Sequence, residues 1–304
     1  MKRSPEIFLP SVVKVQEALL HASSLLDEKG FSAPRLDAEV LLAHLLKVRK
    51  VDLYLDHMRP LCEKEAAAYE SLIQRRLEGE PVAHITGEKE FWSLPFTVNS
   101  SCLIPRPETE ILVEKALEIC RTGDGARSSP YRILDLGTGC GAIAVCLARE
   151  IPHARVTATD ISRDALAVAR ENAKKQGVSD KIKLGEGDLF DPVRKQKDYF
   201  DLIVSNPPYV AEKDAGTLPR EVREYEPYTA LYGGSDGLAF YRSIIPESLH
   251  FLKKEGYIAL EIGYGEVDRI LEIFSNAGGF QGITVRSDLS GIPRVVSAKR
   301  SGLQ

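Results

Sequence analysis

Beyond residue 130 the chain alternates short apolar runs with amphipathic segments, and this alternation constrains its fold more than any other feature. The apolar runs are YRILDLG, ARVTATD, KIKLGEG and FDLIVSN, all too short for typical helices. The intervening segments GAIAVCLAREI and SRDALAVARENAKKQG have helical periodicity. Strands and helices that alternate in this way form a mostly parallel sheet covered on both faces, with ligands at the carboxyl ends of the strands. The sequence therefore predicts a Rossmann-like α/β domain.

Two further parts are predicted before this domain. Residues 1–80 contain amphipathic segments such as RLDAEVLLAHLLKV and predict a small helical domain. Residues 81–106 include EFWSLPFTVNSSCLIP, where aromatic and β-branched residues flank a Leu-Pro break, and they predict a β-hairpin linker. Residues 107–304 form the α/β domain, which we expect to end in a strand pair around 283–299.

Composition argues against several classes of protein. The net charge of −4 argues against a protein that holds long stretches of nucleic-acid backbone. No apolar run approaches the roughly 18 residues of a membrane span, and the first twenty residues do not have the pattern of a signal peptide. The five cysteines lack a C-x-x-C pair and the six histidines lack H-x-x-x-H spacing. We therefore expect neither a disulfide framework nor a metal site, and we expect a reducing cytoplasm as the location.

The segment DLGTGCG, from Asp135 to Gly141, follows the first strand of the α/β region and opens a helix. Its three spaced glycines permit a tight turn and a close approach of the backbone to a ligand. A P-loop would continue with Lys and then Ser or Thr, whereas Ala142 and Ile143 follow here. A dinucleotide fingerprint would place its third glycine at 142, where alanine is tolerated, so an NAD site stays open on this segment alone.

Acidic residues near the glycine segment favour a different nucleotide-like cofactor. Asp160, at the end of the second strand, can accept hydrogen bonds from two ribose hydroxyls. Asp135 can receive an α-amino group, directly or through water. Asp188 follows the third strand, at a position beside the adenine in this fold, and Leu189 can pack on the ring. The pattern D-x-G-x-G-x-G followed by D is typical of methyltransferases that use S-adenosylmethionine (AdoMet).

The fourth strand runs directly into Asn206, two prolines and Tyr209. An amide nitrogen is a poor nucleophile, so attack on a methyl group requires accurate placement and acceptors for its two N–H groups. The side-chain oxygen of Asn206 and the carbonyl of Pro207 can be those acceptors, held in place by the fixed φ of the proline pair. The ring of Tyr209 offers a face on which a planar group can stack. The segment therefore predicts a clamp for a planar NH₂ group.

This clamp leaves other functions open. A flipped adenine or a guanine amino group fits it, so a nucleic-acid amino methyltransferase is the alternative. The acidic balance, the nearly neutral first 80 residues and the lack of a basic-aromatic stripe argue against that alternative. A non-catalytic binding protein on this scaffold would be expected to have lost the glycines or the clamp, and an NAD-dependent oxidoreductase leaves the clamp unexplained.

Six segments of the chain, taken together, resemble the HemK/PrmC family, the protein N5-glutamine methyltransferases that modify class-1 peptide chain release factors. They are PRPETE (105–110), ILDLGTGCGAIA (133–144), VSNPPYV (204–210), YEPYTALYGGSDGL (225–238), LEIG (260–263) and SGIPRVV (290–296). Related enzymes that act on a ribosomal protein carry a segment closer to PRSPI in place of PRPETE, so the resemblance is to the release-factor branch. The last motif departs from the family, with Ile292-Pro293-Arg294 where D-R-V is common.

The resemblance, which extends over essentially the full chain, implies a class I AdoMet-dependent methyltransferase with an antiparallel last strand. It implies methyl transfer to the glutamine of a Gly-Gly-Gln tip, and we expect a monomer that needs neither nucleic acid nor a membrane. With the assignments above, the expected cofactor residues are Asp135, Gly137, Thr138, Gly139, Cys140, Gly141, Asp160, Asp188, Leu189 and Asn206. The expected substrate residues are Asn206, Pro207, Pro208 and Tyr209, of which Asn206 and Pro207 are catalytic. The segment EPYTALYGGSDG is expected to form a wall of the substrate pocket, while Arg106 and Glu108 either order the linker or cap the helix that begins there.

Overall fold

The structure, a computed structural model, describes residues 13–122 and 130–302; the first twelve residues of the predicted helical domain lie outside the described part. Its helices are α1 (Val15–Glu28), α2 (Pro34–Leu46), α3 (Lys50–Leu55), α4 (Glu63–Leu77), α5 (Val82–Thr86), α6 (Thr109–Thr122), α7 (Ala142–Glu150), α8 (Arg163–Lys175), α9 (Arg220–Tyr225), α10 (Tyr228–Leu231), α11 (Ala239–Phe251) and α12 (Val267–Ala277). Its strands are β1 (Val13–Lys14), β2 (Pro60–Leu61), β3 (Glu88–Phe91), β4 (Leu94–Thr97), β5 (Tyr131–Leu136), β6 (Ala154–Asp160), β7 (Ile182–Glu186), β8 (Phe200–Ser205), β9 (Leu252–Glu261), β10 (Phe280–Ser287) and β11 (Pro293–Arg300).

The chain divides into two compact units. The helical unit comprises Met1–Gly87 together with the short segment Pro219–Tyr225, and the α/β unit comprises Glu88–Leu218 and Glu226–Gln304. The β3–β4 hairpin therefore lies in the same unit as the large sheet. The chain also leaves the α/β unit for seven residues, a feature that the sequence did not indicate.

The helical unit is built from amphipathic helices whose apolar faces meet in one core. In α1 the buried residues Ala18, Leu19, Ala22 and Leu26 recur at helical spacing. The first turn of α4 is stabilised by Glu65, which accepts a hydrogen bond from the Cys62 amide at 2.9 Å. Helical periodicity and end signals in the sequence therefore account for the main elements of this unit.

One buried arginine holds the segment Pro219–Tyr225 within the helical unit. Arg76 of α4 lies over the ring of Phe31, with its guanidinium carbon 4.2 Å from the ring centroid. The same guanidinium forms ion pairs with Asp37 of α2 and with Glu221 of α9. Because a buried guanidinium needs charged or hydrogen-bonding partners, both carboxylates are required to satisfy it.

The α/β unit contains a seven-stranded sheet in the order β10-β11-β9-β8-β5-β6-β7. Neighbouring strands are parallel except at β11, which is antiparallel to both β9 and β10. The predicted mostly parallel sheet with an antiparallel last strand is confirmed. None of the helices that the structure describes is long and apolar enough to cross a membrane.

The strand order reverses between β5 and β8. From β5 the chain proceeds outward through β6 to β7, and it then returns to form β8 on the other side of β5. The last residues of the two central strands, Leu136 and Ser205, are paired, and the Ser205 hydroxyl donates a hydrogen bond to the Leu136 carbonyl at 2.7 Å. The glycine segment and the NPPY segment therefore start side by side, at the edge where ligands of such sheets bind.

The hairpin is joined to the glycine segment through a single buried side chain. Asn172 of α8 accepts a hydrogen bond from the Thr97 amide at 2.8 Å and donates to the Thr97 carbonyl at 2.9 Å. It also donates to the carbonyl of Cys140 at 2.8 Å. These bonds fix the end of β4 relative to the turn that begins α7.

Candidate active site

A cavity of about 410 Å³ opens at the carboxyl ends of the central strands. Its volume falls in the range of typical small-molecule sites, about 300–1,000 Å³. The predicted residues that line it are Gly137, Thr138, Gly139, Cys140, Asp160, Asp188, Leu189, Asn206, Pro207 and Pro208. Three predicted residues, Asp135, Gly141 and Tyr209, lie next to this set and do not line the cavity.

Gly141 acts through packing. It has a φ of +84°, and a β-carbon added there would lie 3.1 Å from the β-carbon of Ala169. The position therefore needs glycine for its backbone conformation and for the close approach of α7 to α8. Its contribution to a bound ligand is the placement of the loop.

Asp135 is fully buried beneath the glycine segment. Its Oδ2 accepts a hydrogen bond from the Thr138 hydroxyl at 2.7 Å. Its Oδ1 has no hydrogen-bond partner of ordinary geometry in the described part of the chain. Burial raises the pKa of this carboxyl to about 7, because the charged form loses its hydration. The Thr138 hydroxyl and the Ala144 amide partly oppose this rise.

Asp160 stands at the end of β6 with both carboxylate oxygens on backbone amides. Oδ2 accepts from the Gly139 amide at 2.8 Å, and Oδ1 accepts from the Ser162 amide at 2.9 Å. Burial raises its pKa, while these amide hydrogen bonds oppose the rise. A carboxylate has about four acceptor sites in all, so Asp160 can still accept a hydroxyl donor from a ligand in the cavity that it lines.

The first three residues of the NPPY segment line the cavity, and the fourth packs against the core. Asn206, Pro207 and Pro208 line the cavity, with the side-chain nitrogen of Asn206 3.1 Å from the Thr109 hydroxyl oxygen. The ring of Tyr209 instead packs toward the core, where a β-carbon at Gly263 would lie 3.1 Å from its Cδ2. Burial raises the pKa of the Tyr209 phenol.

Three other aromatic residues, Tyr228, Tyr232 and Phe240, line the cavity. Tyr228 and Tyr232, four residues apart around α10, stack with ring centroids 4.4 Å apart, and both rings belong to the cavity lining. The sequence analysis assigned their segment to a pocket wall without naming either ring. The aromatic pair at helical spacing in EPYTALY was the signal that could have identified them.

Arg106 orders the linker through a buried carboxylate. Its guanidinium pairs with Glu226, whose second oxygen accepts a hydrogen bond from the Ile104 amide at 3.0 Å. Glu226 immediately precedes the cavity-lining residues 227–230. Of the two roles left open for Arg106, the structure favours the ordering role.

The departure in the last motif has a local explanation. Arg294 receives its carboxylate partner from Asp288, with Nε 2.9 Å from Oδ2. The same carboxylate accepts from the amides of Ser290 and Ile292, each at 2.9 Å. Asp288, at the start of this turn, therefore pairs with Arg294 and stabilises the turn, although no aspartate stands directly before the arginine as in the family motif.

Two glycines of the GGSDG segment press directly on the backbone of NPPY. A β-carbon at Gly233 would lie 2.5 Å from the carbonyl oxygen of Pro208, and one at Gly237 would lie 2.5 Å from that of Tyr209. The Gly233 amide also donates to the Val210 carbonyl at 2.9 Å. The GGSDG segment thus packs against the backbone of the NPPY segment and stabilises its position.

Comparison with known proteins agrees with this geometry. The PrmC N-terminal domain model matches residues 17–87, and the Methyltransferase small domain model matches residues 125–221. A release factor glutamine methyltransferase of Geobacter sulfurreducens is 41% identical over 292 residues, which cover 95% of this chain and 98% of the relative. One from Chlorobaculum tepidum is 42% identical over 295 residues, covering 94% of this chain and 97% of the relative. The chain belongs to the release factor glutamine methyltransferase family.

Among solved structures, the hMettl16 catalytic domain in complex with MAT2A 3′UTR hairpin 6 shares this fold. Its TM-score is 0.54 at 18% sequence identity, and the match covers 81% of this chain and 86% of that one. At this identity the likeness extends to the fold alone. It agrees with the mostly parallel sheet that the alternation of strands and helices predicted.

The packing of GGSDG against NPPY can be tested by one added methyl group. Gly233→Ala is expected to lower the free energy of unfolding by about 1–3 kcal/mol, since overpacking forces the Pro208 backbone to shift. Gly216→Ala is the matched control, because nothing lies within 4 Å of a β-carbon at that position. Urea denaturation of both variants measures the effect, and equal stabilities would contradict the close packing.

Proposed function

We propose that this protein transfers a methyl group from AdoMet to the side-chain amide nitrogen of the glutamine in the Gly-Gly-Gln tip of class-1 release factors. The observation that carries the proposal is that the glycine segment and Asn206 line one cavity at the switch point of the sheet. The clamp alone would also accept an amino group of a nucleobase, and membership of the family decides in favour of the glutamine amide. The proposal includes a monomer in the cytoplasm.

The residues around the glycine segment fit AdoMet. Asp135 does not line the cavity, so its carboxyl is proposed to reach the α-ammonium group through water, while the remaining acceptor capacity of Asp160 suits a ribose hydroxyl. Asp188 and Leu189 line the part of the cavity that follows β7, as expected for contacts with adenine. The bound cofactor supplies a methyl group on a sulfonium, which is electrophilic without activation by the protein.

The NPPY segment supplies the substrate half of the site. The side-chain oxygen of Asn206 and the backbone oxygen of Pro207 accept the two N–H groups of the glutamine amide. Fixing both hydrogens orients the nitrogen lone pair toward the methyl group and removes the entropy cost of alignment from the chemical step. No general base is required for attack, since the methylated nitrogen loses its proton afterwards.

The stacked pair Tyr228 and Tyr232 offers a planar surface for the substrate amide, a role that the sequence predicted for the ring of Tyr209. An amide plane can stack on such a face while its N–H groups point at the clamp. Tyr209, whose ring packs against the core, is proposed to hold the backbone of the second proline in place. With these two roles, the proposed pocket admits a planar side chain whose neighbours in the substrate are glycines.

The role of Asp160 is tested by cofactor binding. Asp160→Ala removes a carboxylate acceptor for the ribose hydroxyls and is expected to weaken AdoMet binding by about 1.5–3 kcal/mol, the range for hydrogen bonds to charged groups. Asp164→Ala, at an exposed position on α8, is the matched control. Calorimetry on the folded variants measures both affinities, and an unchanged affinity for Asp160→Ala would remove this residue from the site.

The role of Asn206 is tested by turnover. Asn206→Ala removes one acceptor of the clamp and is expected to reduce turnover at least about 100-fold, a loss of about 2.7 kcal/mol in transition-state stabilisation. AdoMet affinity is expected to change far less. Asn276→Ala, at an exposed position on α12, is the control. Near-normal methylation of a release factor by Asn206→Ala would show that the clamp mechanism is wrong.

A glutamine between small residues offers little surface for selection, so we propose that the helical unit contributes contacts with the intact release factor. Five large side chains between residues 48 and 58 are 41–76% exposed, which is unusual for one short stretch. They are Val48, Val51, Tyr54, Leu55 and Met58. This α3 patch is the surface we assign to the release factor.

The α3 patch can be tested at its most exposed member. Leu55→Ser is expected to raise KM for an intact release factor by about tenfold, the effect of losing an interface residue worth about 1.4 kcal/mol. Activity on a short Gly-Gly-Gln peptide should not change. Leu20→Ser on α1 is the control, since Leu20 is 64% exposed and Leu55 is 76% exposed. An unchanged KM, or an equal loss on the peptide, would contradict the assignment.

A further inference from the structure

The side-chain amide of Asn206 makes one hydrogen bond with the residues that the structure describes. Its nitrogen, Nδ2, donates to the Thr109 hydroxyl at 3.1 Å, while its oxygen is left for the cavity that Asn206 lines. The two ends of a carboxamide have the same shape and opposite hydrogen-bonding character. The end that faces the cavity therefore decides whether Asn206 accepts a hydrogen bond there or donates one.

Thr109 is the first residue of α6 and is only 4% exposed. Its hydroxyl lowers the pKa of the Glu261 carboxyl as a hydrogen-bonding neighbour, and it accepts the Asn206 Nδ2 hydrogen bond. A hydroxyl has a single proton, and an ionised carboxylate can only accept. When Thr109 donates to Glu261, it can only accept from Asn206, so Nδ2 is the end of the amide that must face it.

Glu261 is the last residue of β9 and is 2% exposed. The pairing of Ser205 with Leu260 places it beside the point where β8 ends and Asn206 begins. Its Oε2 has no hydrogen-bond partner in the described part of the chain, and its backbone carbonyl accepts from the Tyr241 hydroxyl at 2.8 Å. Burial of such an acid in its charged form is costly, because the carboxylate loses its hydration.

From this geometry we propose that Thr109 and Glu261 are positioning residues, which turn the Asn206 amide so that its oxygen faces the substrate. The inference rests on the proposed function, in which that oxygen accepts a hydrogen bond from the glutamine NH₂ group. A reversed Asn206 would present its own NH₂ to the substrate NH₂, and two donors cannot pair. Thr109 and Glu261, which we call the relay, therefore prevent the reversed orientation of the Asn206 amide, which has the same shape as the active one and no activity.

The protonation of Glu261 determines whether the relay works. A neutral carboxyl can donate to Thr109, whose proton is then free to point at Asn206 and to stabilise the reversed amide. Burial raises the pKa of Glu261 to about 7, and the Thr109 hydrogen bond lowers it in part. The other ionisable groups around it are Glu108, Arg106, Arg294, Tyr209 and Tyr241. Both arginines already pair with other carboxylates, so neither is dedicated to this charge.

The sign of the pH dependence follows. The folded-state pKa of Glu261 lies above that of a free glutamate, so the carboxyl gains a proton as the pH falls through about 7. The active orientation requires the ionised form. Turnover at saturating AdoMet is therefore expected to fall as the pH decreases from about 8 to about 6.

The decisive experiment compares Thr109→Val with Thr109→Ser in the full-length protein acting on an intact release factor. Valine keeps the shape and removes the hydroxyl, so kcat is expected to fall at least about tenfold while AdoMet affinity and KM stay within about twofold. Serine keeps the hydroxyl and is expected to restore kcat to within about threefold of the unmodified protein. A kcat for Thr109→Val equal to that of the unmodified protein would overturn the inference, as would an equal loss in both variants.

Glu261→Gln supplies a second, independent readout. Glutamine cannot ionise, so the decline in kcat between about pH 8 and pH 6 should be lost, with a lowered rate at the upper end. A Glu261→Gln profile that keeps the decline would overturn the role of Glu261. Absence of release-factor methylation by the unmodified protein would instead refute the proposed function, so the two failures are distinguishable.

Discussion

The pairing of Leu136 with Ser205 is the contact on which the rest of the site depends. These residues end the two central strands, and the serine hydroxyl closes on the leucine carbonyl at 2.7 Å. From this point one chain segment turns into the glycine loop and the other into the clamp. The buried hydrogen bond between them keeps the two turns at a constant separation, which a transfer between a cofactor and an amide requires.

Much of the fold and part of the site could be predicted from local sequence signals. The strand–helix alternation predicted the sheet, and the glycine spacing with Asp160 predicted one half of the cavity. Asn206 and Pro207 were predicted because a rigid turn with an amide is chemically unusual. Each of these signals is contained in a few consecutive residues, so periodicity and turn chemistry were sufficient to find it.

The remaining features depend on contacts between distant segments. The partner of Arg106 is Glu226, 120 residues away, and that of Asn206 is Thr109, 97 residues away. No spacing rule relates such residues, because only the folded sheet brings them together. The position of the Tyr209 ring has the same cause, since the tertiary packing around Gly263 directs it toward the core, while Tyr228 and Tyr232 line the cavity.

The seven-residue excursion Pro219–Tyr225 has a consequence for how this architecture can be recombined. Because Glu221 satisfies the buried guanidinium of Arg76, the helical unit is not encoded by one continuous stretch of the gene. A chimera made by joining the first 87 residues of one relative to the remainder of another would separate co-adapted partners on either side of the junction. Exchange of this unit between relatives therefore requires three simultaneous crossovers, one after residue 87 and two that flank the excursion.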